Sequence, residues 1–116
     1  MNSDFNKAKI LFKKGKIIEA KKICKKVLIE ESKHIQSLHL LALIELQLNK
    51  YNQCIKLINK SIQLNKNEPS LYFIKGLAHH ELKYFDLAIK NYNKAIELKF
   101  DYSEAFLNLG NSQKVK

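Results

Sequence analysis

The sequence predicts an all-α fold in which antiparallel helix pairs repeat along the chain. Three observations support this prediction. Small and apolar residues recur at a fixed spacing of 34 positions, and the chain contains only three glycines and one proline. Within each period the apolar residues follow the three-and-four spacing of an amphipathic helix. Because a turn-rich β fold needs more glycine and proline, helices account for the pattern best.

The spacing is clearest in the small residues. Three series run through the chain in this register: Ala8, Ala42, Gly76 and Gly110; Ala20, Cys54 and Ala88; and Val27, Ser61 and Ala95. Parallel series at one spacing indicate an internal repeat. Small side chains let paired helices approach closely, so a large residue at Gly76 or Ala88 should destabilise the fold by about 1–3 kcal/mol.

The apolar spacing and its interruptions predict seven helices, at about 4–14, 17–31, 35–48, 51–65, 69–82, 85–99 and 103–114. The breaks inside the periods fall at Gly15-Lys16, Asn49-Lys50 and Lys83-Tyr84. Glycine and asparagine tolerate the left-handed conformation that ends many helices, whereas lysine suits it less well. Pro69 suits the first turn of a helix, where its missing N–H is not needed.

The third period, PSLYFIKGLAHHELKYFDLAIKNYNKAIELKF, resembles the tetratricopeptide repeat (TPR) family. Gly76 stands at the family's small glycine, Ala88 and Ala95 at its two alanines, and Tyr92 at its aromatic position; Tyr72 stands where the family often has tryptophan. The resemblance covers essentially the whole chain, although the first period is more divergent. It implies an α-solenoid with a right-handed superhelix in a single domain, 1–116. That domain would hold three repeats, at about 1–34, 35–68 and 69–102, and a C-terminal helix at about 103–114.

The resemblance also implies that the first helix of each pair lines a concave groove. First-helix side chains outside the packing positions are mostly apolar, and in the first repeat they are Phe5, Lys9 and Phe12. We predict a peptide-binding groove formed by His39, Leu40, Leu43, Leu46, Phe73, Ile74, Leu77, His80 and Asn108. The alternative for each residue is packing between repeats or against the last helix. The expected function is a non-catalytic module or adaptor that binds a protein or peptide partner.

Some repeats of this family hold acidic chaperone tails through a carboxylate clamp of lysine, arginine and asparagine. Over the first three repeats, the resemblance places the clamp positions on Phe5, Lys9, Leu40, Ser70 and Ile74. One repeat further on, they fall on His39, Leu43, Ile74, Glu104 and Asn108. Neither set supplies the required cations and amides, so we do not expect this chain to bind such tails.

The charge is strongly basic, with a net +10 that comes from 21 lysines and no arginine. Lys21, Lys22, Lys25 and Lys26 lie about one turn apart on the predicted second helix. They indicate an alternative function, the electrostatic binding of nucleic acid or another polyanion through the convex face. The absence of arginine and of interleaved aromatic residues argues against specific nucleic-acid recognition. A solvated surface with a general bias toward lysine is the third interpretation.

We expect no catalytic site, metal site or cofactor. His79 and His80 are neighbours on a helix and point about 100° apart, which is poor geometry for one metal ion. Cys24 and Cys54 fall at inward positions and are interpreted as small buried hydrophobic residues.

The longest apolar run, Leu40 to Ile44, is too short to span a membrane, and the first sixteen residues hold no apolar signal segment. We therefore expect a cytoplasmic protein without membrane contact. The last helix is either a cap or half of a repeat, exposing Phe106, Leu109 and Leu98. In the second case, two chains could form a homodimer through this C-terminal helix.

Overall fold

The computed structural model describes residues 3–115, and this part of the chain contains seven α-helices and no β-strand. The helices are α1 (Ser3–Lys13), α2 (Ile17–Glu30), α3 (Ile35–Gln47), α4 (Tyr51–Leu64), α5 (Pro69–Glu81), α6 (Phe85–Leu98) and α7 (Ser103–Val115). Every predicted helix is present, and each predicted boundary lies within one residue of the observed boundary. Between Ser3 and Val115, no helix combines the length and the apolar character needed to cross a bilayer.

The chain divides into two compact units, Met1–Leu64 and Asn65–Lys116. In the first unit α1 packs against α2 and α3 against α4, and α2 also contacts α3. In the second unit α5 packs against α6, and α7 packs against α6 with a smaller contact to α5.

The turns inside the three helix pairs have the same backbone geometry. Gly15, Asn49 and Lys83 have φ values of 81°, 63° and 66°, as the break positions predict. In each turn the amide of the next residue donates to a carbonyl five positions earlier, at 2.8 to 2.9 Å. This is the Schellman pattern, which satisfies the last carbonyls of a helix. Lys83 adopts the left-handed conformation although lysine suits it less well than glycine. The geometry of the helix end, and not the residue type, therefore determines the backbone conformation at this position.

The start of α5 is capped locally. Pro69 is the first residue of the helix, and the Glu68 carboxylate accepts bonds from the Ser70 hydroxyl at 3.0 Å and from its amide at 3.4 Å. The Tyr72 hydroxyl donates to the carbonyl of Lys66 at 2.8 Å, which ties the preceding loop to the helix. The bond from the Ser70 amide satisfies one of the first amides of α5, which have no partner within the helix.

The core of the first unit contains both small and large apolar residues. Its buried members are Phe5, Ala8, Ala20, Cys24, Leu40, Leu41 and Ile44. Ala8, Ala20 and Cys24 are fully buried. Ala8 and Ala20 belong to the small-residue series, and the small size of all three side chains lets the helices approach closely.

In the second unit, Gly76 is the small residue that lets α5 and α6 approach each other closely. A Cβ atom at Gly76 would lie 2.5 Å from Cε1 and 2.6 Å from Cδ1 of Tyr92, a fully buried residue of α6. The aromatic ring therefore occupies the space that any other residue at this position would need. A Cβ atom at Gly110, 34 positions later on α7, would meet nothing within 4 Å.

Candidate functional site

A depression of about 330 Å³ lies between α1 and α3 in the first unit. From α1 it is lined by Phe5, Lys9, Phe12 and Lys13, and from α3 by Gln36, His39, Leu40 and Leu43. The α3 residues are spaced at i, i+3, i+4 and i+7, so they form one stripe along the helix. We call this depression the α1–α3 groove.

The floor of the groove is fixed by the core beneath it. Phe5 and Leu40 are buried members of the core cluster. The Phe5 ring packs against the His34 ring with a centroid distance of 5.3 Å. Phe12 and Leu43 are only half-buried, so part of each apolar side chain stays accessible at the surface. Partly exposed apolar groups on a rigid base are suited to contact another apolar side chain.

The rim of the groove is positively charged. Lys9 and Lys13 are exposed, and the Lys9 ammonium lies 5.9 Å from the centroid of the Phe5 ring. His39, also on the lining, is half-buried. The groove therefore combines an apolar floor with two cations at its edge.

The structure brings three of the predicted groove residues, His39, Leu40 and Leu43, into this groove. Leu46 lies on the same helix, half-buried and outside the lining. Phe12 lines the groove although it was not among the predicted site residues. Its position seven residues after Phe5 on one helix face is the sequence signal that identifies it.

In the second unit, Phe73 packs against other aromatic rings. Its centroid lies 5.9 Å from that of Tyr92 and 5.2 Å from that of Tyr102. Ile74 is buried and Leu77 is half-buried. Phe73 and Ile74 therefore contribute to the packing of this unit, and their contact with a ligand stays a prediction.

The two adjacent histidines of α5 face different helices. Nδ1 of His79 lies 3.1 Å from Nδ2 of Asn91 on α6, whereas Nδ1 of His80 lies 2.7 Å from Oγ of Ser112 on α7. Burial, with a smaller effect of the Lys75 charge, lowers the pKa of His79. No cluster of three or more histidine, cysteine or acidic residues suited to a metal ion occurs within residues 3–115.

The other predicted groove residue of the second unit, Asn108, uses its amide within α7. Its Nδ2 donates to the carbonyl of Glu104 at 2.8 Å. The side chain is half-buried. Because this bond uses the amide nitrogen, the amide oxygen can still accept a hydrogen bond. A role of Asn108 in ligand binding also stays a prediction.

Of the four lysines in the predicted basic surface, Lys22, Lys25 and Lys26 are exposed, but Lys21 is not. The Lys21 Nζ lies 2.9 Å from Oε1 of Glu45, and the two side chains are only 14% and 7% exposed. This hydrogen bond raises the pKa of Lys21. Lys21 therefore belongs to a partly buried ion pair and is not a solvated cation.

The two cysteines are free and buried. Burial raises the pKa of the Cys24 thiol to about 11 and that of the Cys54 thiol to about 12. Since the thiolate is the reactive form, neither side chain has the character of a nucleophile at neutral pH.

The model of the family described as "Anaphase-promoting complex, cyclosome, subunit 3" matches residues 13–98, about three quarters of the chain. The chain belongs to this family of tetratricopeptide repeats. The predicted family is thereby confirmed.

Among curated relatives, the chain is similar to human "Protein O-mannosyl-transferase TMTC1", with 28% identity over 113 residues. The alignment covers 94% of this chain but 13% of the relative. A mouse protein of the same name is 29% identical over 107 residues, which is 11% of its length. The chain thus spans about an eighth of the length of these relatives, which are named as enzymes.

Two solved structures with bound peptides have the same fold. One is the first TPR of Spaghetti (RPAP3) bound to the HSP90 peptide SRMEEVD, with a TM-score of 0.92 at 23% identity, covering 97% of this chain and 89% of that one. The other is the second TPR domain of human RPAP3 in complex with the HSP70 peptide SGPTIEEVD, with a TM-score of 0.89 at 18% identity, covering 96% and 92%. The all-α repeat fold is thereby confirmed.

Proposed function

We propose that this chain is a non-catalytic protein-interaction module that binds a peptide segment in the α1–α3 groove. The observation that supports the proposal most directly is the half-buried pair Phe12 and Leu43, which face one depression above a rigid core. A ligand side chain placed between them would remove apolar surface from water on both sides. Full burial of one such side chain contributes about 1.5–3 kcal/mol.

The lining also suggests the composition of the ligand. Lys9 and Lys13 lie at the rim, so a peptide with an apolar anchor flanked by acidic residues would match both the floor and the charge. The repeats of RPAP3 in the two similar structures hold peptides that contain two adjacent glutamates. Their fold is shared with this chain, and we propose that the use of a peptide ligand is shared as well.

We propose that the ligand is not gripped through a C-terminal carboxylate. Of the five clamp positions over the first three repeats, Lys9 carries a cation, whereas Phe5, Leu40, Ser70 and Ile74 cannot form ion pairs with a carboxylate. The test uses the peptide SRMEEVD with either a free or an amidated C-terminus. We expect the two forms to bind equally, whereas a large loss on amidation would show that a clamp exists.

We also propose that the chain is an adaptor without catalytic activity of its own. The relatives named as O-mannosyl-transferases are matched over only 13% and 11% of their length. The buried, weakly acidic thiols of Cys24 and Cys54 are compatible with the cytoplasm that we propose as its compartment, since reduced cysteines persist there.

Self-association through α7 is a further proposal carried over from the sequence. Phe106 and Leu107 of this helix are 49% and 67% exposed, whereas Leu98 and Leu109 are half-buried. Sedimentation over a range of protein concentrations tests this proposal. A constant monomer mass would contradict it.

The groove itself is tested with a displayed peptide library selected on the wild-type chain. The affinity of a selected peptide is then compared for Leu43→Gln in the groove and Ile29→Gln on α2, where Ile29 is 85% exposed. We expect Leu43→Gln to weaken binding about tenfold or more, because the polar amide replaces an apolar contact. Ile29→Gln should leave the affinity unchanged.

Circular dichroism of both variants must show the wild-type helix content, so that a loss of binding is not a loss of folding. Equal affinities of Leu43→Gln and wild type for every selected peptide would contradict the groove proposal.

A further inference from the structure

We infer that the first unit has a second binding site, a lysine-lined pocket between α2 and α4 that takes an acidic peptide segment. The pocket has a volume of about 410 Å³ and shares no lining residue with the α1–α3 groove. The lysines that line it are Lys21, Lys25, Lys50, Lys56 and Lys60.

Helical spacing explains why these lysines converge. Lys21 and Lys25 are four residues apart on α2, and Lys56 and Lys60 are four residues apart on α4, so each pair lies on one helix face. Lys50 directly precedes α4. The sequence alone grouped the lysines that are close along α2. The packing of α2 and α4 against α3 instead brings lysines from distant parts of the chain to one pocket.

The pocket has an excess of positive charge. Its single carboxylate, that of Glu45, is already engaged by Lys21 at 2.9 Å. The other four lysines are exposed, and none of them takes part in the ion pairs formed within residues 3–115. Like charges around one concavity repel one another, so an anion bound among them relieves the repulsion.

The rest of the lining favours a peptide over a nucleic acid. Leu41 and Leu57 contribute apolar surface and Gln53 an amide, whereas the described lining contains no aromatic ring on which a base could stack. Lysine also lacks the planar fork with which arginine recognises phosphate in two bonds. A peptide that carries carboxylates on both sides of one apolar residue matches the lysines and the leucines together.

The test measures the fluorescence polarisation of a labelled heptapeptide, EDELDEE, with the full chain at about 50 mM salt, where charges are weakly screened. The pocket variant removes three exposed lysines of the lining: Lys25→Gln, Lys56→Gln and Lys60→Gln. The matched control removes three exposed lysines outside it: Lys7→Gln, Lys14→Gln and Lys33→Gln. Both variants lose the same net charge.

We expect the pocket variant to bind about tenfold more weakly than wild type, on the basis of several tenths of a kcal/mol for each exposed pair. The control should change the affinity by less than about twofold, because none of its lysines lines the pocket. Replacing the peptide's leucine with serine should also weaken binding to wild type. The inference is overturned if the pocket and control variants lose affinity equally, or if replacing the leucine leaves the affinity unchanged. Either result would show that the peptide binds through general charge attraction and not in the pocket.

Two further measurements distinguish a peptide in this pocket from a nucleic acid and from a peptide in the α1–α3 groove. If polyuridylate binds more tightly than the heptapeptide through the same three lysines, the ligand is a nucleic acid and the inference is wrong. Because the heptapeptide also has the composition proposed for the α1–α3 groove, its binding is measured again in the Leu43→Gln background, where the pocket variant should still bind about tenfold more weakly. If Leu43→Gln instead abolishes binding, the peptide occupies that groove, which also refutes the second site.

Discussion

The contact between Gly76 and Tyr92 allows a quantitative prediction about stability. In Gly76→Ala the new methyl group would lie 2.5 Å and 2.6 Å from two carbons of a fully buried ring. Overpacking of a core typically destabilises by about 1–3 kcal/mol, and two contacts this short place the cost near the upper end. The better helix propensity of alanine offsets about 1 kcal/mol. We therefore expect a net destabilisation of about 2 kcal/mol.

Gly110→Ala is the matched control. Gly110 has the same position in the repeat and lies inside α7, but its new Cβ atom would meet nothing within 4 Å. Only the helix-propensity gain applies, so this variant should be more stable by about 0.5–1 kcal/mol. The two variants should thus move the midpoint of urea unfolding, followed by far-UV circular dichroism, in opposite directions.

A second mutation tests the cause. Tyr92→Leu removes the ring atoms near Gly76, so Gly76→Ala should be harmless in that background, and a double-mutant cycle measures the coupling. The reasoning is refuted if Gly76→Ala stabilises the wild-type chain as much as Gly110→Ala does. It is equally refuted if the destabilisation persists unchanged in the Tyr92→Leu background.

Three further predictions follow from the helix ends and the buried groups. Lys83→Gly should stabilise the chain by about 1 kcal/mol in urea unfolding, because glycine adopts a φ of 66° without strain; a loss of stability would contradict this. Lys21→Met, which leaves the Glu45 carboxylate without its cation, should destabilise by about 2 kcal/mol at neutral pH. The pKa of Lys21 is raised above its usual 10.5, so the stabilisation by this pair is complete below that pH and is lost as the pH rises through the raised value. The difference in unfolding free energy between wild type and Lys21→Met should therefore shrink at such high pH. Cys24 and Cys54 should react with a thiol-specific disulfide reagent at about pH 8 only after denaturation, because burial raises their pKa values to about 11 and about 12; rapid reaction of the native chain would show that they are accessible.

The helices and their turns could be predicted from the sequence because both depend on local chemistry. The positions of Gly15 and Asn49 identified two turns through their tolerance of positive φ, and the repeat placed the third at Lys83. The spacing of small residues likewise identified Gly76 as a point of close approach, which the Tyr92 contact explains.

Contacts between helices could not be predicted in the same way. Periodicity assigned Lys21 to the outer face of α2, but it contains no information on how α2 aligns with α3, which carries Glu45. The 2.9 Å ion pair depends on that alignment. The same limit applies to His80, whose bond with Ser112 joins residues 32 positions apart.

The candidate groove contains a stripe that the sequence predicts and a neighbouring residue whose position depends on helix packing. The stripe that contains His39, Leu40 and Leu43 follows from helical spacing on α3 alone. Helical spacing also places Phe12 on the same face of α1 as Phe5, but whether that face lies beside the α3 stripe depends on the contact between α1 and α3.

The identical hairpin turns also indicate where foreign sequence can be introduced. In each hairpin, a hydrogen bond between backbone groups five residues apart closes the turn. One added amino acid there would rotate the next helix by about 100° and turn its apolar face outward. The connection that precedes α3 differs, because it closes through a shorter bond, from the His34 amide to the Glu31 carbonyl at 3.1 Å, and the His34 side chain accepts from the Ser37 amide at 3.1 Å at the start of α3. An affinity tag or a fluorescent reporter therefore belongs ahead of His34, and an extra residue beside Gly15 should abolish folding of the first hairpin.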